Sequence, residues 1–127
     1  VVEEFVSLMM KEIDKAKVAD RVTIQSFDVR SLQLLKQKYP QIKSLALLVN
    51  SKQTDVDENI KKLGFVPEIY SPDYTTVTPE LVAKCKELKM KLLPWTPDEP
   101  ADLQKMVDLG VWGIITNYPD RLLKIVK

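Results

Sequence analysis

At 127 residues the chain is long enough for one domain, and a domain of this size buries roughly two-thirds of its unfolded surface. Nineteen basic and eighteen acidic residues, interspersed along the chain, leave a net charge of +1 and give no electrostatic case for a nucleic-acid or anionic-membrane partner. One cysteine, Cys85, and no histidine exclude an internal disulfide and a zinc site, and no apolar run nears the roughly 20 residues that cross a bilayer.

The opening VVEEFVSLMMKEIDKA places Val2, Phe5, Val6, Met9, Ile13 and Ala16 on one helical face. No capping residue precedes it and there is no initiator methionine, so the chain is expected to start inside a helix of a longer protein. RVTIQSF is a short apolar, β-branched run; DVRSLQLLKQKYP follows with Val29, Leu32 and Leu35 at helical spacing and Asp28 as N-cap. SLALLVN is the next strand, and TDVDENIKKLG the next helix, with acids in its first turn and Gly64 as its stop. PEIYSPDY comes third. TPELVAKCKELKM then has Thr78 as N-cap, Pro79 at the first helical position, and Leu81, Val82, Cys85 and Leu88 inward, so that Cys85 reads as a buried structural thiol. KLLPWT is the fourth strand, PADLQKMVDLG its helix ended by Gly110, and GIIT a fifth strand before the helix PDRLLKIVK.

Strands therefore recur at roughly 23-residue intervals, each followed by a helix, which implies parallel strands with right-handed crossovers. A leucine-rich solenoid has a similar period but lacks a full capped helix in each unit. An open doubly wound sheet wants a Gly-rich turn after its first strand, and Gly64, Gly110 and Gly113 supply none. What remains is a TIM-type (β/α)₈ barrel, of which about five units are visible. Residues 1–127 are thus expected to be a single partial domain, the C-terminal portion of a barrel, with the N-terminal units lying before Val1. Its open sheet edges must be covered by those units or by another copy of the chain, so a homo-oligomer is a second expectation.

The strand ends IQSFD (Ile24 to Asp28), PWTPDE (Pro94 to Glu99) and GVWGIITNYPD (Gly110 to Asp120), in this order and spacing, resemble the C-terminal half of the glycerophosphodiester phosphodiesterases, a family of (β/α)₈ barrels. The resemblance runs from Arg21 onward. Many members carry aspartate in place of Trp112 and of Asn117. The resemblance implies hydrolysis of a glycerophosphodiester substrate to an alcohol and glycerol 3-phosphate, aided by a divalent cation, Ca²⁺ or Mg²⁺. The family's two catalytic histidines and its metal-binding carboxylates belong to earlier strands, so no catalytic residue and no metal ligand is expected in this chain. Activity would need the missing N-terminal half.

Among the residues present, Trp95 is expected to wall the substrate pocket, since it ends a strand on the face where barrel active sites sit. Gln25 and Ser26 carry polar tips at the mouth of the first strand, able to bond substrate or orient a carboxylate. Phe27 joins them as a pocket candidate but is expected to pack beneath. Tyr74 and Tyr118 stand at loop entrances, where a phenol can bond a phosphate or lie half-buried. The strand-end acids Asp28, Asp73, Glu99 and Asp120 read as helix caps or first-turn acids. Trp112, ahead of the last strand, belongs to the opposite end of the barrel and is expected to pack or make an outward contact.

Overall fold

A computed structural model of the protein describes residues 2–126. The elements run α1 (Val2–Ala16), β1 (Thr23–Ser26), α2 (Val29–Lys38), β2 (Ser44–Val49), α3 (Val56–Leu63), β3 (Ile69–Pro72), a 3₁₀ turn (Tyr74–Thr76), α4 (Pro79–Glu87), β4 (Lys91–Leu92), α5 (Pro100–Leu109) and α6 (Pro119–Val126). The strands lie side by side in the order β1-β2-β3-β4, all parallel, as in a segment of a barrel wall.

Local chemistry sets the boundaries. The Asp28 carboxylate accepts from the Arg30 N–H to cap α2, Asp55 accepts from Glu58 to cap α3, and the Thr78 hydroxyl accepts from Leu81 to cap α4. Gly64 (φ 90°) and Gly110 (φ 79°) end α3 and α5 in the left-handed conformation that a side chain would oppose. Two expected caps differ. Asp73 serves the 3₁₀ turn, bonding the N–H and hydroxyl of Thr75, and Glu99 precedes α5 without any capping bond from its side chain.

Period-2 alternation sorts the strands. Leu45, Leu47, Val49, Tyr70 and Leu92 point into the helix layer and are buried there with Val6, Met10, Leu32, Leu35, Leu63, Cys85 and Met106. Burial pushes the Cys85 thiol up to about 11, as suits an inert packing residue. The buried stripe of α1 is shifted from the expected one: Met10 is inside, while Phe5 is 62% exposed and Ala16 is exposed. A turn of 3.6 residues centres the stripe between Val6 and Ile13, leaving Phe5 on its flank.

The expected fifth strand, Gly113 to Thr116, is reduced to a single bridge between Ile115 and Trp95. The Ile115 N–H bonds the Pro94 carbonyl at 2.9 Å, and the Trp112 and Gly113 N–H groups converge on the Leu92 carbonyl at 3.0 and 3.3 Å. The fourth strand is likewise short, ending at Leu92 and resuming as a bridge between Trp95 and Asp73. Pro94 accounts for part of the fifth strand's loss, because it has no N–H to give to that ladder, and Pro72 for part of the gap in the fourth, where the Leu93 carbonyl accepts from the Ser71 hydroxyl instead. Trp112 lies at the N-terminal end of β4, 58% exposed, with the Lys91 ammonium 4.9 Å from its ring centroid, an outward contact as expected.

Candidate functional site

In parallel sheets of this kind ligands meet the C-terminal ends of the strands. Trp95 occupies that position after β4 and is held from three directions. Its N–H bonds the Pro72 carbonyl, its carbonyl accepts from Tyr74, and its indole Nε1 donates to the Ser71 carbonyl at 2.9 Å. The indole is half-buried, so its ring is fixed while part of its surface stays free. Phe27, beyond the end of β1, meets it edge to face, with centroids 5.9 Å apart and planes at 85°. Phe27 does not pack beneath the polar tips: it is 57% exposed, because no strand adjoins β1 on its outer side among the described residues. Gln25 alternates with Phe27, which puts it on the same face, exposed.

Ser26 takes the opposite face, and its Oγ accepts from the Asp28 N–H at 2.9 Å, closing the turn into α2. Gln25 and Ser26 thus do not share the mouth as expected. Tyr74 is half-buried and turned to α5, its hydroxyl donating to Asp102 Oδ2 at a long 3.5 Å; the charge of Asp102 raises the phenol above its ordinary range. Tyr118 is 43% exposed, with the Arg121 guanidinium 3.9 Å from its ring centroid. The structure therefore brings Phe27 and Trp95 together with Gln25 on the same sheet face, while the Ser26 side chain closes a turn, the Tyr74 hydroxyl turns to Asp102 and the Tyr118 ring lies against Arg121.

Asp98 is the group that sequence reading missed. Its Oδ1 accepts from the Thr116 hydroxyl and from the Asn117 N–H, both at 2.9 Å, and its Oδ2 accepts from Asn117 Nδ2 at 3.0 Å. The Asn117 N–H, then its side chain, hold the carboxyl below its ordinary range, and Asp98 stays ionised. Nothing local marks it out, since it stands beside Glu99 at a helix start and its partners are 18 and 19 residues away.

The family comparison agrees with this arrangement of strands and strand ends. The sequence model of the glycerophosphoryl diester phosphodiesterase family matches residues 1–121. The chain belongs to this family. It is 35% identical over 121 residues to a glycerophosphodiester phosphodiesterase of Caldanaerobacter subterraneus subsp. tengcongensis, covering 94% of this chain and 48% of that protein. To one of Bacillus subtilis it is 30% identical over 118 residues, covering 92% of this chain and 40% of that protein. A crystal structure of the same family name from Silicibacter pomeroyi superposes with a TM-score of 0.87 at 28% identity, over 98% of this chain and 44% of that one. A glycerophosphodiester phosphodiesterase from Parabacteroides distasonis gives 0.82 at 25% identity, over 98% and 51%. The chain spans about half the length of the curated relatives it matches, 48% and 40% of the two named. Its α/β fold of four parallel strands follows their TIM-type barrels over almost all of that span.

Among the described residues of this family member no three acidic or thiol side chains converge as a cation cage would require. Asp28 is committed to Arg30, Asp73 to Thr75 and Asp98 to Thr116 and Asn117, on separate loops. These residues do not fit a divalent cation by themselves.

Proposed function

We propose that this chain forms one wall of the substrate site of a phosphodiesterase that hydrolyses glycerophosphodiesters to an alcohol and glycerol 3-phosphate, and that it is inactive alone. The observation that carries the reading is the aromatic pair Phe27 and Trp95, set at the C-terminal strand ends on a sheet face that no strand among the described residues flanks beside β1. Family membership supplies the chemistry such a face would serve.

In this reading Trp95 and Phe27 line the pocket against the apolar carbons of the substrate, and Gln25 offers amide hydrogen bonds beside them. Diester hydrolysis also needs a base for the attacking water and an acid for the departing alkoxide. The chain has no histidine, and the carboxylate oxygens of Asp28 and Asp98 are taken up by their own partners, so both proton transfers are assigned to residues of a preceding barrel half. A divalent cation, Ca²⁺ or Mg²⁺, is assigned there too, as the charge that offsets the non-bridging phosphate oxygens.

The test is turnover of glycerophosphocholine, followed by coupled detection of glycerol 3-phosphate with Mg²⁺ or Ca²⁺ present. The expected outcome is none from this chain alone, and turnover when it is fused behind the N-terminal portion of the Caldanaerobacter relative. Hydrolysis by the chain alone, or an inactive but folded fusion, would overturn it. The open edge of β1 favours one further reading, a non-catalytic half-barrel that pairs with itself; size-exclusion chromatography showing a tight homodimer, together with an inactive fusion, would select it.

A further inference from the structure

We propose that Asp98 is a positioning residue, which fastens the Thr116–Tyr118 loop, and with it the Tyr118 ring, to the Trp95 side of the pocket mouth. The proposal rests on the phosphodiesterase reading and extends it to a residue outside the substrate cluster.

Asp98 lies three residues beyond Trp95 and directly before Glu99, the N-cap position of α5. Among the described residues, every hydrogen bond that its carboxylate accepts comes from the next unit of the chain. Three routes lead from it to Tyr118. The Thr116 hydroxyl that donates to Oδ1 accepts in turn from the Tyr118 N–H at 3.1 Å. Asn117, bonded through both its backbone N–H and its amide, is the residue directly before Tyr118. The Asp98 carbonyl accepts from Arg121 Nη1 at 2.9 Å, and that guanidinium lies against the Tyr118 ring. Among the described residues the strand pairing across this seam is the single bridge between Trp95 and Ile115. Without the Asp98 carboxylate, one bridge, its flanking backbone bonds and the Arg121 bond to the carbonyl at position 98 would hold the loop, and the Thr116 and Asn117 routes to Tyr118, which is 43% exposed, would be lost.

The pairing with Asn117 is a donor facing an acceptor, so it can be exchanged. In Asp98→Asn an amide would face the Asn117 amide, and in Asn117→Asp two carboxylates would meet. In the double exchange the new Oδ1 at 98 still accepts from Thr116 and the backbone N–H, while its amide donates to the carboxylate at 117.

The experiment has two arms. In this chain, amide hydrogen exchange at Asn117 and Tyr118 is expected to accelerate in Asp98→Ala, and to return towards the parent rate in Asp98→Asn/Asn117→Asp. In the fusion with the N-terminal portion of the relative, Asp98→Ala is expected to lower kcat/KM for glycerophosphocholine about tenfold, mainly through KM, and the double exchange to recover it. Tyr118→Ala is expected to produce a similar loss that Asp98→Ala does not deepen, because one removes the ring and the other leaves it unplaced. Additive losses would mean that Asp98 acts only on stability, and would overturn the role, as would unchanged exchange at Asn117. A folded fusion with no turnover in any form would overturn the phosphodiesterase reading and this role with it. An active fusion indifferent to Asp98→Ala would overturn this role alone.

Discussion

β1 and β3 are both four-residue parallel strands, TIQS and IYSP, yet they meet opposite surroundings. β3 pairs with β2 on one side and β4 on the other, and Ile69, Tyr70, Ser71 and Pro72 are all buried. β1 pairs with β2 alone among the described residues, and its inward residues Thr23 and Gln25 are exposed. Strands of a barrel are normally covered on both faces, helices outside and neighbouring side chains inside. β3 shows the covering at work: the Ser71 hydroxyl bonds the Leu93 carbonyl and the Ser71 carbonyl takes the Trp95 indole. Burial on the inner face is therefore a property of a strand's neighbours more than of its residues. The edge at β1 is where a further part of the barrel would add the most.

The sharpest way to break this comparison is to truncate matching inner-face positions. Ile69→Ala on β3 is expected to cost about 2–5 kcal/mol, the lost transfer energy plus the cavity left in a site 4% exposed. Gln25→Ala on β1 is expected to stay within about 0.5 kcal/mol, as at other open surface positions. Urea unfolding of both variants checks the pair. Equal costs would mean that β1 is covered after all.

A smaller effect links the two strands. Phe27 follows β1, and Trp95 bridges to Asp73, the residue after β3, so their ring contact joins the edge to the middle of the sheet. A double-mutant cycle with Phe27→Ala and Trp95→Ala is expected to give a coupling energy of about 0.5–1.5 kcal/mol, measured again by urea unfolding. Strictly additive losses would show that the pair does not interact in solution and that Phe27 is free of the wall assigned to it.

What was legible in the sequence follows the range of the interactions. Asp28, Thr78, Pro79, Gly64 and Gly110 act within one helical turn, and each was placed from its own neighbourhood. The inward residues of α4 were legible for the same reason, through their spacing. Phe27 was misplaced because its burial depends on a neighbour strand, which no residue near it reports. The fifth strand shrank to one bridge because a strand needs a partner along its length, and Pro94 removes one donor from the partner available. Ser26 could have been assigned to the other face from period-2 alternation alone. Asp98 could not: its role exists only once Thr116 and Asn117 are folded onto it.

The smallest expected effect lies at the rim of β1, where Asp28 turns the chain into α2. Its carboxylate accepts from Arg30 Nη2 and from the Arg30 N–H, both at 2.9 Å, and chiefly the side-chain bond holds it below its ordinary value of 3.8. A carboxyl with a depressed folded value stabilises the fold above its unfolded value and loses that contribution as pH falls through the folded one. Asp28→Asn keeps a competent N-cap and removes only the charge. The parent is therefore expected to be slightly more stable than Asp28→Asn near neutral pH, with a gap that is flat down to about pH 4 and closes below it. Added salt should shrink the gap, because the pair with Arg30 is exposed to solvent. Thermal unfolding of both proteins between neutral pH and pH 2 reads the effect. A gap that widened on acidification would show that Arg30 does not hold the charge, and that β1 ends on a cap alone.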